Sequence, residues 1–198
     1  MARIILASAS TVRRKLLTDA GLDFEALSSD VDEDAIKERY RSEGRSVEDT
    51  ALALAQAKAL AVARDRPDTL VVGADQILDL NGRMFDKPRD AAEARTHLEN
   101  FSGETHRLVT AAVIYRNDAE LWQNVTAPLM SVRRLSDEFI DGYLAQIGEK
   151  AFQSVGAYQL EGPGVQLFEA IDGDFFTILG LPLLPLLAFL REHGHIAA

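Results

Sequence analysis

The chain reads as an α/β fold, and three features of the sequence predict it. Residues 3–7 and Thr69–Gln76 are uninterrupted apolar runs of the kind that form strands buried on both faces. Between such runs lie capped stretches rich in Ala, Leu and charge, which are helical in composition. Asn81-Gly82, Asn117-Asp118 and Asp172-Gly173 are turn signals that mark hairpins.

The bulk properties narrow the function classes. A length of 198 residues suits one well-buried core, so a single domain over 1–198 is expected. With 47% hydrophobic and 26% charged residues the chain is an ordinary globular sequence. A net charge of -10 and a pI near 4.9 speak against a broad nucleic-acid-binding face. A polyanionic ligand must instead meet a local cluster of cations, together with a divalent metal. There is no Cys, which excludes disulfides and thiolate metal sites and fits a reducing compartment. The apolar run within Met1–Ala7 is too short for a signal peptide, and Ile178–Leu190, interrupted by Gly180, Pro182 and Pro185, is too short to span a bilayer. A soluble cytoplasmic protein with no membrane partner is the expectation.

Taken in order, the first strand at 3–7 leads through Ser8-Ala9-Ser10 into a helix containing Arg13 and Arg14. The hydroxyls are either helix caps or, with the free N–H groups and the two arginines, a phosphate cradle. Asp23–Leu27 reads as a second strand, and Asp30–Asp34 opens a helix running to about Gly44. That acidic cluster exceeds what a cap requires, so one or two of its carboxylates could serve a hard cation. Ser46 caps a long Ala-rich helix ending before Pro67, in which Ala51, Leu54, Ala55 and Val62 share a stripe with Lys58 in its middle. Either Lys58 snorkels to water or its ammonium is held inward against an anion.

Thr69–Gln76 ends on Asp75, at the carboxyl rim where open α/β sheets bind ligands. Beyond the Asn81-Gly82 turn, a hairpin would fold Lys87 back toward Asp75. Gly73 is expected to let the backbone approach ligand closely. Arg89-Asp90-Ala91 starts a helix reaching Phe101; Arg107–Tyr115 and Leu121–Arg133 read as two long strands; Ser136 opens a helix ending near Gly148. Residues 149–166 form a shaped loop with Glu161 just before Gly162-Pro163-Gly164. Leu167–Ile171 and Phe175–Leu179 flank the last hairpin signal, and Leu183–His193 is a final amphipathic helix. His97, His106, His193 and His195 show no metal-binding spacing and are assigned no role. There is no Gly-x-Ser-x-Gly elbow and no Gly-x-Gly-x-x-Gly turn.

Six motifs in register, Ser8-x-Ser10-x-x-Arg13, Val31-Asp32-Glu33, Lys58-Ala59, Gly73-Ala74-Asp75-Gln76, Lys87-Pro88 and Gly180-Leu181-Pro182-Leu183, together resemble the Maf family of nucleoside triphosphate pyrophosphatases. The resemblance implies an elongated mixed central sheet flanked by helices, with two lobes around a cleft, similar to the inosine triphosphate pyrophosphatase type. It implies cleavage between the α- and β-phosphates of a nucleoside triphosphate with Mg²⁺, Mn²⁺ or Co²⁺, and a homodimer. By position, Asp75 is the general base or a metal ligand, Glu33 lies near the metal, and Ser8, Ser10, Arg13, Lys58 and Lys87 hold phosphates.

The same resemblance links Gln76 and Glu161 to base choice, and this pair is similar to the branch acting on 7-methyl-GTP. Ala74 and Val12 depart from that branch, which often has Ser at the first and Trp or another large group at the second. A Glu carboxylate can accept from both N1–H and the exocyclic amine of guanine, and a methylated guanine adds positive charge. Val12 offers no cation–π platform, so preference for 7-methyl-GTP over GTP should be modest or absent. The second hypothesis is a nucleotide-binding regulatory module influencing cell division, with catalysis incidental; the two separate at Asp75.

Overall fold

A computed structural model describes residues 3–197; Met1 and Ala2, the first residues of the amino-terminal stretch read above, and the last residue, Ala198, lie outside it. The chain forms an eight-stranded mixed sheet with flanking helices. It divides into two compact units: residues 1–76, 109–126 and 174–198 make the first, and 77–108 and 127–173 the second.

In the first unit, β1 (Ile4–Ala7) pairs in parallel with β2 (Phe24–Leu27) on one side and with the start of β3 (Leu70–Leu80) on the other. The parallel connections are made by helices: α1 (Thr11–Asp19) between β1 and β2, and α2 (Glu33–Ser42) and α3 (Val47–Ala63) between β2 and β3. Each starts where a side chain accepts an orphan N–H: Ser10 from Arg13, Asp32 from Ala35, Ser46 from Asp49. The end of β5 (Thr105–Arg116) pairs antiparallel with β6 (Ala119–Thr126). Side chains alternate across β3, and the even set, Leu70, Val72 and Ala74, joins Ile4, Leu6, Leu16, Leu17 and the carboxyl-terminal helix in one buried cluster. The odd set, Val71, Gly73 and Asp75, therefore belongs to the opposite face.

In the second unit, β4 (Arg83–Phe85) turns back antiparallel on the end of β3, β7 (Leu129–Val132) pairs with the start of β5, and β8 (Phe168–Asp172) pairs with β7. Helices α4 (Ala91–Phe101) and α5 (Asp137–Ile147) begin at the expected caps, Asp90 and Ser136. Asp79, buried on β3, accepts from Gly82 N–H at 2.7 Å and from Arg107 Nε at 2.9 Å, which secures the Asn81-Gly82 turn.

Three elements differ from the sequence expectation. The strand carrying Asp75 does not stop there but runs to Leu80. The long second strand predicted over 121–133 is broken into β6 and β7 at Ala127-Pro128, because proline has no N–H to offer a ladder. Phe175–Ile178 is a helical turn, α6, rather than a strand, since Asp174 accepts from both the backbone N–H and the hydroxyl of Thr177 at 2.8 Å. The final helix, α7 (Leu183–Glu192), lies as expected.

Candidate active site

The first unit brings Asp75, Lys58, Glu33, Arg13 and Ser8 into one connected set of contacts. Asp75 is two residues past Gly73, the last residue of β3 paired with β1, while Ser8 directly follows β1. Both sit at the carboxyl end of the parallel segment even though β3 itself continues. The rim reading holds for the parallel ladder rather than for the strand.

Lys58 reaches this rim from α3. Its stripe is buried as predicted, with Ala51, Leu54 and Ala55 fully enclosed, and Lys58 itself is only 8% exposed. The ammonium does not snorkel to water: Nζ lies 2.6 Å from Asp75 Oδ1 and 2.8 Å from Glu33 Oε1. A buried ammonium requires such a partner, and here it has two. Gly73 makes the approach possible. A Cβ at that position would run into the Ala55 carbonyl oxygen and lie 2.8 Å from Ala59 Cβ. The glycine thus admits a helix, where the sequence suggested it would admit ligand.

Arg13 is built into the same place by backbone carbonyls. Its Nε donates to Gly180 O at 2.7 Å and its Nη1 to Ala74 O at 3.0 Å and Ser8 Oγ at 3.4 Å. These acceptors are uncharged, so the guanidinium keeps its full positive charge beside the carboxylates. Burial pulls the Arg13 pKa down while Asp75 and Glu33 hold it up. For Asp75, burial pushes the carboxyl above its ordinary value, against the opposing pull of Lys58 and Arg13. A buried acid with a raised pKa beside two cations is the environment in which general bases are tuned.

The serines divide. Ser10 is the cap of α1, accepting from Arg13 N–H at 3.3 Å; buried Ser8 accepts from Ser10 N–H at 3.2 Å and from the Arg13 guanidinium. Val12 is half-buried on α1. The Gln76 amide donates to Thr110 Oγ1 at 2.8 Å, Thr177 O at 3.1 Å and Ile178 O at 3.2 Å. Lys87 and Glu161 belong to the second unit, and both are exposed. The β3–β4 hairpin that was to carry Lys87 back is present, with Leu78 opposite Phe85, and Lys87 follows its end by two residues.

Sequence reading missed the acceptors that hold Arg13 and Gln76, namely the carbonyls of Gly180, Thr177 and Ile178. One signal was available. Gly180 has φ +102°, a backbone conformation that residues with a side chain rarely adopt, so a glycine in the sequence is what lets its carbonyl face the arginine.

An acid–ammonium–acid bridge with a guanidinium beside it, placed at the end of a parallel ladder, describes a centre for handling charged oxygen groups. The chain belongs to the Maf family, whose model for a Maf-like protein matches residues 3–193. A protein of Rhizobium meliloti (strain 1021) named 7-methyl-GTP pyrophosphatase is 56% identical, with 98% of each chain covered. One of the same name from Mesorhizobium japonicum is 53% identical over 98% of each. A protein of Granulibacter bethesdensis named nucleoside triphosphate pyrophosphatase is 50% identical, covering 96% of this chain and 97% of its own.

Proposed function

We propose that this chain is a nucleoside triphosphate pyrophosphatase, a hydrolase acting on an acid anhydride, which cleaves between the α- and β-phosphates to give the monophosphate and pyrophosphate. The observation that carries the reading is Lys58 held between Asp75 and Glu33, with Arg13 alongside, in a chain about half identical to proteins named for that activity. The substrates are 7-methyl-GTP, the activity that the names of two of these relatives print, or a related modified nucleotide, with only a small margin over GTP because Val12 supplies no aromatic platform. Glu161 reads the guanine edge and Lys87 contributes to phosphate binding, both as the family resemblance assigns them.

Charge balance supports a divalent cation. Arg13 and Lys58 are matched one for one by Asp75 and Glu33, so only Lys87 is left in surplus, too little positive charge for a triphosphate in a protein of net charge -10. Asp75 and Glu33 are hard oxygen donors already bracketing one cation, the Lys58 ammonium, so the donor set fits Mg²⁺, Mn²⁺ or Co²⁺. Among the described residues no group of three or more His, Cys, Asp or Glu side chains is placed to hold a metal, so phosphate and water oxygens would complete the shell. When bound, the ion would neutralise phosphate charge and acidify a water.

The residues then have separable tasks. Ser8 and Arg13 orient phosphate oxygens, with the Arg13 guanidinium fixed through Nε by Gly180 and through Nη1 by Ala74. Lys58 exchanges its carboxylate partners for phosphate and stabilises charge on the departing pyrophosphate. The Asp75 carboxylate accepts the proton of the attacking water.

The test is a panel of ordinary and modified nucleoside triphosphates with each metal, scored for pyrophosphate against orthophosphate. Asp75→Asn should abolish pyrophosphate release while leaving triphosphate binding within about tenfold. Surviving turnover would remove Asp75 from the mechanism, and orthophosphate as the product would refute the bond assignment.

A further inference from the structure

Glu161 sits on an exposed turn, and a specificity residue on a loose loop would discriminate poorly. The loop is not loose. Residues 148–167 fold as three single turns, and Glu161 is the third residue of a tight turn closed by Gly162 N–H donating to Gln159 O at 3.2 Å. Both flanks of that turn are fastened to buried structure of the second unit.

On the leading side is Tyr158, 5% exposed, whose hydroxyl lies 2.7 Å from His106 Nε2 on β5. Its ring packs edge-on to Phe168, with centroids 4.9 Å apart. The backbone entering it is unusual: Gly156 has φ +82° and Ala157 φ +61°. The Ala157 carbonyl accepts from Tyr143 Oη at 3.2 Å, which holds that left-handed residue in place. A Cβ at Gly156 would come within 2.6 Å of both Leu78 Cδ1 and the Tyr158 ring. On the trailing side is Gly164, where a Cβ would lie 2.5 Å from Gln159 O and 2.9 Å from Gln159 N. The turn can close only because Gly164 has no side chain.

His106 is fully enclosed, and its Nδ1 has no hydrogen-bond partner, so Tyr158 is the only partner found for either ring nitrogen among the described residues. A buried polar pair is a poor choice for packing alone, since an apolar pair would fill the space without desolvating polar groups. What the pair supplies is direction, because a hydrogen bond at one point fixes where the following residues emerge.

We propose that Tyr158, through His106, and Gly164 are positioning residues for base specificity: they set the place from which Glu161 meets the nucleobase. The inference rests on the reading of Glu161 given above. Neither residue touches substrate, and neither belongs to the acid–ammonium centre.

The experiment compares wild type, Tyr158→Phe, Gly164→Ala and Glu161→Gln on GTP, 7-methyl-GTP, UTP and dTTP, well below each variant's thermal midpoint. Tyr158→Phe keeps the ring and removes only the hydroxyl. In Tyr158→Phe and Gly164→Ala the guanine-over-pyrimidine ratio of kcat/KM should fall by about fivefold or more, chiefly through KM, with kcat on the pyrimidine substrates held within about threefold. Glu161→Gln should lower the same ratio. If Glu161→Gln leaves the ranking unchanged, the base-reading role fails and the positioning role fails with it. If Glu161→Gln changes the ranking while Tyr158→Phe and Gly164→Ala keep the wild-type ratio within about twofold, or lose activity equally on every base, the positioning role alone is overturned.

Discussion

At the scale of single residues, Arg13 shows how much of the centre depends on geometry rather than charge. Its fork collects two carbonyls from distant parts of the chain and a hydroxyl from Ser8, five residues before it. A lysine carries the same charge but one donor point, so the substitution is not conservative here. Arg13→Lys should cost ~1–3 kcal/mol of stability by leaving buried carbonyls unpaired, read as a shift in denaturation midpoint at constant slope. It should also lower kcat/KM by more than about tenfold, since a phosphate-orienting group is displaced. The charged members of the centre were legible in the sequence because charge on an apolar stripe or strand is anomalous: Lys58 and Asp75 both stood out in this way. The acceptors that hold Arg13 and Gln76, at Gly180, Thr177 and Ile178, were not, because they act through carbonyl oxygens that every residue possesses.

At the scale of elements, legibility followed length and capping. The α3 and α4 helices start at the predicted Ser46 and Asp90 because an N-cap side chain and a periodic apolar stripe agree there. Phe175–Ile178 was misread because a short apolar run does not distinguish helix from strand by pattern, and Asp174 decides it. The aromatic layer joining α4, β4, β5 and the loop after α5 gives the second unit a pH dependence. Phe101, Tyr158 and Phe168 surround His106, and burial pushes its imidazole down to about 4 from 6.5. The neutral form is thus favoured by the fold, so its contribution is complete above pH 6.5 and is lost as pH falls toward 4. At ~1.4 kcal/mol per pH unit the full loss is on the order of 3 kcal/mol. Nearby His97, also lowered by burial, acts in the same direction. Urea denaturation at pH 7 and pH 5 should show the drop, and His106→Phe should flatten it.

At the scale of the whole molecule, β3 and β5 are the two strands that belong to both units. β3 enters the first unit at Leu70 and ends in the second at Leu80; β5 runs the other way, from Thr105 to Arg116. Unfolding either unit would break a hydrogen-bonded strand partway along its length. A single cooperative transition is therefore expected despite two compact units. Trp122, the one tryptophan, lies in the first unit, so its fluorescence reports that unit while far-ultraviolet circular dichroism reports both. The two denaturation curves should superimpose, and separated midpoints would show that the units unfold independently. The mixed α/β architecture was readable from the sequence, whereas a two-lobed division was implied only by the family resemblance and its boundaries were not legible. Two of its four boundaries, at Gln76 and at Val109, fall within continuous strands where no change of composition marks them; the other two lie beside Ala127-Pro128 and Asp172-Gly173.

The missing side chain at Gly73 has an implication for anyone wishing to transplant this chemistry. The spacing between the acid and its ammonium depends on a strand and a helix approaching until not even a methyl group fits between them. An engineer who grafted the charged groups onto a new scaffold without that glycine would reproduce the inventory and lose the spacing.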